Sequence, residues 1–180
     1  MRLYLIRHPQ PAIAAGICYG HSDIGSAEDS HECACALRPL LPDNAPLYTS
    51  PLRRCLDLAQ ALNPAPIIDA RLVEMNFGAW EMQRWDDIPR SELDAWAADP
   101  INFTPPRGES ASALRLRVTA LLRELPEVAV LVTHGGVLRA CTAELTGAAD
   151  WHQLHFGYGS VSLIENGRLI WKNRRHANPG

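Results

Sequence analysis

Two short apolar runs end at histidines, and they restrict the possible folds more than any other feature of the chain. The first run, residues 4–6, is followed by Arg7 and His8, and the second, residues 128–133, leads to His134 and a pair of glycines. Runs rich in Val, Ile and Leu that end at Gly or Pro are typical of fully buried strands in a parallel sheet. Both imidazoles are therefore predicted at carboxyl ends of strands, where open α/β sheets form their binding sites.

Strand-like and helix-like segments alternate along the chain, which favours a parallel sheet with helices on both of its faces. A chain of 180 residues, 47% of them hydrophobic, is long enough for one well-cored domain and short for two. We therefore expect a single α/β domain over residues 1–180, a three-layer α/β/α sandwich with a mostly parallel central sheet. Strands are predicted at 2–6, 46–50, from 67 and up to His134, helices at 27–41 after Ser26, 51–62 after Ser50, 110–125 and 136–145, and a terminal hairpin at 160–165 and 169–171.

Residues 76–107 differ in composition from the rest of the chain. They carry Trp80, Trp85, Trp96 and Phe103 among many charges and prolines. This composition is typical of short helices that pack over one end of a sheet. We interpret the segment as a lid or specificity insertion.

Charge, hydropathy and cysteine pattern exclude several classes of protein. A net charge of -3, with no basic block before residues 172–175, argues against nucleic-acid binding. Arg7 and His8 interrupt the first apolar run too early for a signal peptide, and no later run approaches a membrane span, so we expect a cytoplasmic protein without a membrane partner. The five cysteines lack paired C-x-x-C spacing. Reduced, mostly buried thiols are expected, with no metal site and no cofactor.

The polar residues expected at the sheet end point to phosphate chemistry. Arg7 and an arginine at the start of a helix, Arg53 or Arg54, would supply guanidinium groups next to a helix N-terminus, which together favour a phosphate dianion. A Gly-rich phosphate loop, a G-x-S-x-G elbow and the carboxylate sets of magnesium phosphatases are absent from the sequence. Without a metal, a histidine is the candidate nucleophile, and Glu74 is the one carboxylate expected at this end of the sheet.

Four blocks of the chain carry a family resemblance: Leu5-Ile6-Arg7-His8, Ser50-Pro51-Leu52-Arg53-Arg54, residues 72–81 and residues 132–139. In this order, they resemble the motifs of the histidine phosphatase superfamily, the phosphoglycerate mutase-like enzymes. Within that superfamily, residues 16–23, 77–81 and 107–110 are most similar to the alpha-ribazole phosphatase branch, which removes phosphate late in cobalamin assembly.

The resemblance implies a role for each candidate residue. His8 matches the histidine that attacks phosphorus and forms a phosphohistidine, and Glu74 matches the acid that protonates the leaving alkoxide. Arg7, His134 and Arg54, with Arg53 ranked second, match the clamp on the phosphoryl oxygens. The predicted substrate-binding residues are Arg7, Arg54, His134, Gly135, Gln10 and Tyr19.

The chain departs from the family pattern directly after its first histidine. Many members continue with Gly-Glu-Thr, whereas this chain reads Pro9-Gln10-Pro11. Because proline has no N–H, Pro9 cannot donate a backbone hydrogen bond to phosphate.

The resemblance implies a metal-independent phosphomonoesterase whose substrate is alpha-ribazole 5'-phosphate or adenosylcobalamin 5'-phosphate. One alternative is a broad-specificity or sugar phosphatase on the same scaffold. The other is a phosphoryl-ligand binding protein that has lost turnover, although such a protein would not need Glu74. The partner is expected to be a small phosphomonoester, and the protein is expected to be a monomer or a homodimer.

Overall fold

A six-stranded sheet in the order β3-β2-β4-β1-β5-β6 forms the centre of the molecule. The structure is a computed structural model that describes residues 1–175. β3, β2, β4 and β1 run parallel to one another, whereas β5 and β6 are antiparallel to their neighbours. The strands are β1 (Arg2–Arg7), β2 (Leu47–Thr49), β3 (Ile67–Ile68), β4 (Val128–Thr133), β5 (Val161–Glu165) and β6 (Arg168–Arg174).

Helices cover both faces of the sheet, because successive side chains of the central strands point to opposite sides. In β1, Leu3 and Leu5 join a hydrophobic core with the helices at 111–122 and 135–146, while Ile6 joins a second core with the helices at 30–37 and 53–62. In β4, Leu131 and Val132 divide between the same two cores. The predicted three-layer α/β sandwich with a mostly parallel sheet is confirmed. The helices are α1 (Ser30–Leu37), α2 (Arg53–Leu62), α3 (Arg90–Ala98), α4 (Ala111–Leu122) and α5 (Gly135–Thr146).

Most of the predicted elements are present near their predicted positions. The helix predicted at 110–125 is α4, and its N-cap is Ser110, whose hydroxyl accepts the N–H of Ala113. The helix predicted at 136–145 is α5, which ends at Gly147 in the left-handed conformation. The predicted terminal hairpin is formed by β5 and β6. No helix among residues 1–175 is both long and apolar enough to cross a membrane.

Two predicted helix starts are wrong. The first helix begins at Ser30 instead of residue 27, because the carboxylate of Asp29 accepts the N–H groups of His31 and Glu32. Upstream of it, the N–H of Ala27 donates to the carbonyl of Gln10, which holds this stretch against the first loop. A carboxylate is as strong an N-cap as a serine hydroxyl, so the choice between the two depends on tertiary contacts.

Ser50 does not cap α2. This helix starts at Arg53, and Leu52 occupies the capping position without a side-chain cap. The Ser50 hydroxyl lies 2.8 Å from Nε2 of His134 and accepts the N–H of Leu52 at 3.3 Å. The Ser50 oxygen, which the sequence predicted as the N-cap of α2, therefore contacts His134 far along the chain instead.

The segment 76–107 contains α3 and two short 3-10 helices, Gly78–Trp80 and Trp85–Asp87. Trp80 is buried there with Cys18 and Ile88, in a small hydrophobic cluster separate from the two main cores. This agrees with the predicted short helices. The role of the segment as a lid stays a prediction.

Replacing Gly78 with alanine is expected to destabilise the protein more than replacing Gly147. The φ angles of the two glycines are 56° and 70°, so alanine at either position costs about 1–2 kcal/mol of backbone strain. At Gly78 a new Cβ would also lie 2.3 Å from the carbonyl oxygen of Pro106, whereas at Gly147 no atom of the described residues lies within 4 Å. Urea unfolding should show an additional loss of about 1 kcal/mol or more for Gly78→Ala. Equal losses for the two variants would show that the 105–108 turn moves aside without cost.

Candidate active site

The register of β1 against β4 brings the two predicted histidines together. The strands are parallel neighbours with Arg7 opposite Thr133, and each strand is followed at once by a histidine. The ring centroids of His8 and His134 lie 5.1 Å apart. Their relative exposures are 2% and 0%, so both imidazoles are withdrawn from water.

His8 presents a free ring nitrogen because its other nitrogen is occupied. Nδ1 lies 2.6 Å from the carbonyl oxygen of Pro9. A carbonyl only accepts hydrogen bonds, so Nδ1 carries the proton and Nε2 carries the lone pair. Burial, followed by the positive charges of Arg54 and Arg7, lowers the pKa of His8 to about 3 against the opposing effect of the Pro9 hydrogen bond. The imidazole is therefore neutral near pH 7, with a basic nitrogen available.

His134 is held by residues from the second strand and helix. Its Nε2 lies 2.8 Å from Oγ of Ser50 and 3.4 Å from Sγ of Cys55. Complete burial and then the nearby His8 and arginine side chains hold the pKa of His134 well below its usual value. His134 is therefore also neutral, and its contacts with Ser50 and Cys55 fix the orientation of its ring.

Of the two arginines considered for the clamp, Arg54 is the one at this site. Its side chain is fully buried, whereas Arg53 is exposed. Nη1 of Arg54 donates to the carbonyl of Ser22 at 2.8 Å, and Nη2 donates to the carbonyl of Gly20 at 2.7 Å. The guanidinium thus lies between the first turn of α2 and the loop after β1.

Arg7 is fixed by a different set of contacts. Its guanidinium carbon lies 3.7 Å from the centroid of the Tyr158 ring, a cation–π contact, and Nη1 donates to the carbonyl of Phe156 at 2.5 Å. A Cβ added to Gly135 would meet the Arg7 guanidinium at 3.5 Å. The first residue of α5 therefore lies directly against Arg7.

Two positively charged donors in this site have no acceptor from the protein. Within residues 1–175, Nε of Arg7 and Nε of Arg54 are buried without a hydrogen-bond partner. A buried unsatisfied donor on a charged group costs free energy that an anionic ligand would recover. The N-terminus of α5, which begins immediately after His134, adds its own partial positive charge. The arrangement is suited to a phosphoryl group.

Glu74 is attached to the same helix terminus. Oε2 accepts the N–H of Gly136 at 3.0 Å, and Oε1 accepts the N–H of Met75 at 2.9 Å. A Cβ on Gly136 would lie 2.3 Å from Oε1, so only glycine permits this approach. The second glycine after His134 thus provides space for the carboxylate, a role that its position in the sequence did not indicate.

The remaining predicted substrate residues differ in position. Tyr19 lies near the site, with its hydroxyl 2.7 Å from the hydroxyl of Tyr158, and burial raises its pKa. Gln10 is exposed, and its contact to another element is through its backbone carbonyl. Tyr158, whose ring centroid lies 5.5 Å from that of His8, was missed because it does not directly follow a predicted strand or helix.

A cavity of about 370 Å³ opens beside Glu74. Gly136 and Arg139 of α5 line it next to the carboxylate, and the remaining walls are mostly apolar. Arg139 does not pair with Glu144 on its own helix, because Arg115 occupies that carboxylate at 3.3 Å. Instead Nε of Arg139 donates to the carbonyl of Leu154 at 2.8 Å. The apolar and aromatic lining residues are Met75, Phe77, Trp85, Trp96, Pro100, Ala111, Leu114 and Trp151.

Comparison with known proteins gives the family. The model of the histidine phosphatase superfamily (branch 1) matches residues 3–178. The chain belongs to this superfamily. The predicted resemblance is confirmed, and this histidine phosphatase is a phosphoric monoester hydrolase, as its phosphatase relatives are named.

The relatives of this histidine phosphatase carry different substrate names. A glucosyl-3-phosphoglycerate phosphatase of Mycolicibacterium vanbaalenii is 32% identical, over 99% of this chain and 88% of its own. An adenosylcobalamin/alpha-ribazole phosphatase of Salmonella typhimurium is 27% identical, over 96% of this chain and 99% of its own. The crystal structure of a candidate alpha-ribazole-5'-P phosphatase from Escherichia coli superimposes with a TM-score of 0.86 at 28% identity, covering 100% of this chain and 99% of that one.

Acid is expected to destabilise this histidine phosphatase because both histidines are buried in their neutral form. Their pKa values in the folded state lie below the ordinary 6.5, so the unfolded chain binds more protons once the pH falls below that value. The free energy of unfolding should then fall by about 1.4 kcal/mol per pH unit for each histidine, down to pH 3 for His8. Urea unfolding between about pH 4 and 6 measures this slope, and His8→Gln should reduce it by one histidine's share. An unchanged slope in the variant would mean that His8 is protonated in the folded protein.

Proposed function

We propose that the enzyme hydrolyses phosphomonoesters through a covalent phosphate on Nε2 of His8, without a metal ion. The observation that carries this proposal is the combination of a neutral imidazole with a free Nε2 and two buried guanidinium groups whose Nε–H bonds lack an acceptor. A nucleophile beside two buried guanidinium donors is the arrangement that phosphoryl transfer needs.

The first half of the reaction forms the phosphoenzyme. Nε2 of His8 attacks phosphorus, the bond from phosphorus to the ester oxygen breaks, and the protonated carboxyl of Glu74 gives its proton to the leaving oxygen. The alcohol product departs. Arg7, Arg54 and His134 surround the transferred group, and the positive charge of the two arginines stabilises its equatorial oxygens.

The second half of the reaction returns the enzyme to its starting state. Glu74, now a carboxylate, takes a proton from water while the water oxygen bonds to phosphorus. The phosphorus–nitrogen bond breaks, its electron pair returns to Nε2 of His8, and inorganic phosphate is released. One carboxyl group thus serves as acid and then as base, on the side of the site where the cavity begins.

For the substrate, we propose alpha-ribazole 5'-phosphate or adenosylcobalamin 5'-phosphate. The cavity beside Glu74, on the side of the leaving group, supports this assignment because its walls are mostly apolar, with aromatic rings among them, and its volume of about 370 Å³ falls in the range of small-molecule sites. A flat dimethylbenzimidazole base would bury apolar area there, which a glycerate or a phosphoserine could not. The Salmonella typhimurium relative, named for these substrates, supports the same choice.

A sugar phosphatase is the second candidate, and Arg139 is the observation that favours it. Among the described residues, its guanidinium has the Leu154 carbonyl as acceptor through Nε, so its amino groups are available to a polar leaving group. Arg139 also lines the cavity next to Glu74. The relative named for glucosyl-3-phosphoglycerate supports this alternative.

The segment 76–107 is proposed to determine specificity. It contributes Phe77, Trp85, Trp96 and Pro100 to the wall of the cavity, whereas His8, Arg54 and His134 come from other elements. Changes to these four wall residues would alter the preference for the leaving group without altering the phosphoryl clamp.

The purified enzyme is expected to release phosphate from alpha-ribazole 5'-phosphate in EDTA with higher kcat/KM than from glucosyl-3-phosphoglycerate or 3-phosphoglycerate. His8→Ala should abolish the release from all three, because it removes the attacking nitrogen. Preference for the glucosyl ester would support the second candidate and retain the mechanism. Turnover by His8→Ala at the wild-type rate, or loss of all turnover in EDTA, would contradict the mechanism.

A pair of tryptophan variants provides the control for the cavity. Trp96→Leu should raise KM for the ribazole ester while leaving a small ester less affected, because it removes aromatic surface from the cavity wall. Trp171→Leu removes a tryptophan of β6 that packs against Tyr4, away from the cavity, and should leave both KM values unchanged. Equal KM effects from the two variants would argue against the cavity as the base site.

Two adjacent arginines offer a matched test of the phosphoryl clamp. Arg54→Ala is expected to lower kcat/KM by about 100- to 1,000-fold, since it removes a buried charge from the transition state. Arg53→Ala removes the same charge from an exposed position and should stay near the wild-type value. Steady-state kinetics on one ester compare them directly. If Arg53→Ala proved the more damaging change, the assignment of the clamp would be reversed.

A further inference from the structure

Glu81 has an unusually complete set of hydrogen bonds for a carboxylate outside the catalytic group. Oε1 accepts the N–H of His21 at 2.8 Å and of Phe77 at 3.1 Å. Oε2 accepts both the N–H of Ser22, at 2.7 Å, and its hydroxyl, at 2.5 Å. Three of these four donors belong to the loop that follows β1.

The same loop provides the acceptors of Arg54. The carbonyls of Gly20 and Ser22 receive the two amino groups of the guanidinium. Glu81 therefore binds the N–H and hydroxyl side of this short stretch while Arg54 binds its carbonyl side. Residues 20–22 lie outside any helix or strand, so these side chains, and not a backbone ladder, fix the two carbonyls.

The packing at Gly20 shows how closely the parts fit. A Cβ at this position would lie 2.0 Å from the carbonyl oxygen of Met75, 2.8 Å from the ring of Phe77 and 3.0 Å from Oε1 of Glu81. The loop thus has little room to shift toward the 75–81 segment. Contact with Glu81 fixes the position of the loop, and the carbonyls of the loop in turn fix the position of the Arg54 guanidinium.

We propose that Glu81 is a positioning residue for Arg54, acting through the carbonyls of Gly20 and Ser22. This inference rests on the proposed role of Arg54 in the phosphoryl clamp. Arg54 has no carboxylate partner among the described residues, so neutral carbonyls orient it and its charge is left for the phosphoryl group. Glu81 fixes the loop that carries these carbonyls. It is not itself hydrogen-bonded to the guanidinium, so its negative charge does not neutralise that of Arg54.

A carboxylate is the group that this position requires. Four donors converge on two oxygens, and a glutamine would direct an NH2 group toward N–H groups that need an acceptor. Burial raises the pKa of Glu81, but the hydrogen bonds from Ser22, His21 and Phe77 outweigh it and lower the pKa overall. The ionised form is therefore the one that the loop stabilises.

A double-mutant cycle separates positioning from general stability. Glu81→Gln is expected to lower kcat/KM for a simple phosphomonoester such as p-nitrophenyl phosphate by about 10- to 100-fold, the effect of a misplaced catalytic group. In the Arg54→Ala background the same change should have almost no further effect, because the group that it positions is gone. Calorimetric titration with inorganic phosphate gives a readout that needs no turnover. Phosphate affinity should fall with Glu81→Gln in the presence of Arg54 and stay unchanged in its absence.

Two further variants keep the test decisive. Ser22→Ala removes only the hydroxyl contact to Oε2 and should give a smaller loss of kcat/KM that also depends on Arg54, so the inference stays testable if Glu81→Gln folds poorly. Glu92→Gln is the matched control, because its carboxylate accepts the Trp80 indole N–H at 2.5 Å and does not bind the 20–22 loop. It should lower the melting temperature without changing kcat/KM.

The outcomes distinguish this inference from the proposed function. Equal losses from Glu81→Gln with and without Arg54 would overturn the positioning role, since a purely structural residue behaves that way. An unchanged kcat/KM in Glu81→Gln would overturn it as well. Full activity of Arg54→Ala alone would instead contradict the proposed function, whatever Glu81 does.

Discussion

The parallel pairing of β1 with β4 is the constraint on which the site depends. Because Arg7 stands opposite Thr133, the residues that follow each strand emerge side by side, and a register shift of one residue would turn every side chain of one strand to the other face of the sheet. Alternating side chains of the two strands fill both hydrophobic cores, so the register is fixed by the burial of many apolar groups. The relative positions of His8 and His134 are therefore determined by the packing of the whole domain.

Around His8 and His134 the protein places positive charge and excludes water. Both histidines are kept neutral, whereas Arg7 and Arg54 keep charges whose Nε–H groups lack protein acceptors in residues 1–175. Such a site is costly to fold empty and favourable to fill with an anion. Among residues 1–175, neither arginine pairs with a carboxylate; carbonyls and an aromatic ring orient them, which fixes their direction without cancelling their charge. The two unpaired Nε donors therefore lower the stability of the folded protein, but they provide a positively charged site that is in place before the substrate binds.

The sequence predicted the parts of this structure that depend on local periodicity, namely the buried strands, α4, α5 and the terminal hairpin. It also predicted that His8 and His134 would lie at the same edge of the sheet, because parallel strands of one sheet end there. It could not predict the use of Ser50, since a serine before proline matches a helix cap and only its contact with His134, 84 residues away, shows otherwise. The positions of Tyr158 near His8 and of Glu74 beside Gly136 likewise depend on tertiary contacts, which local sequence does not show. Trp80 and Glu81 stood in a recognised motif, but the structure alone separates the buried core residue from the carboxylate that binds the 20–22 loop.

The contact between His8 and Pro9 has a consequence for the whole proposed cycle. The hydrogen bond from Nδ1 to the Pro9 carbonyl involves neither the attacking nitrogen nor any atom of the substrate. The ring can therefore bear a phosphate on Nε2 while this bond persists, and it has no need to rotate or to change tautomer between the two half-reactions. An imidazole that stays still has a small reorganisation energy in each step. The proline that departs from the family pattern by lacking an N–H thus contributes its carbonyl, which holds the proposed nucleophile in place.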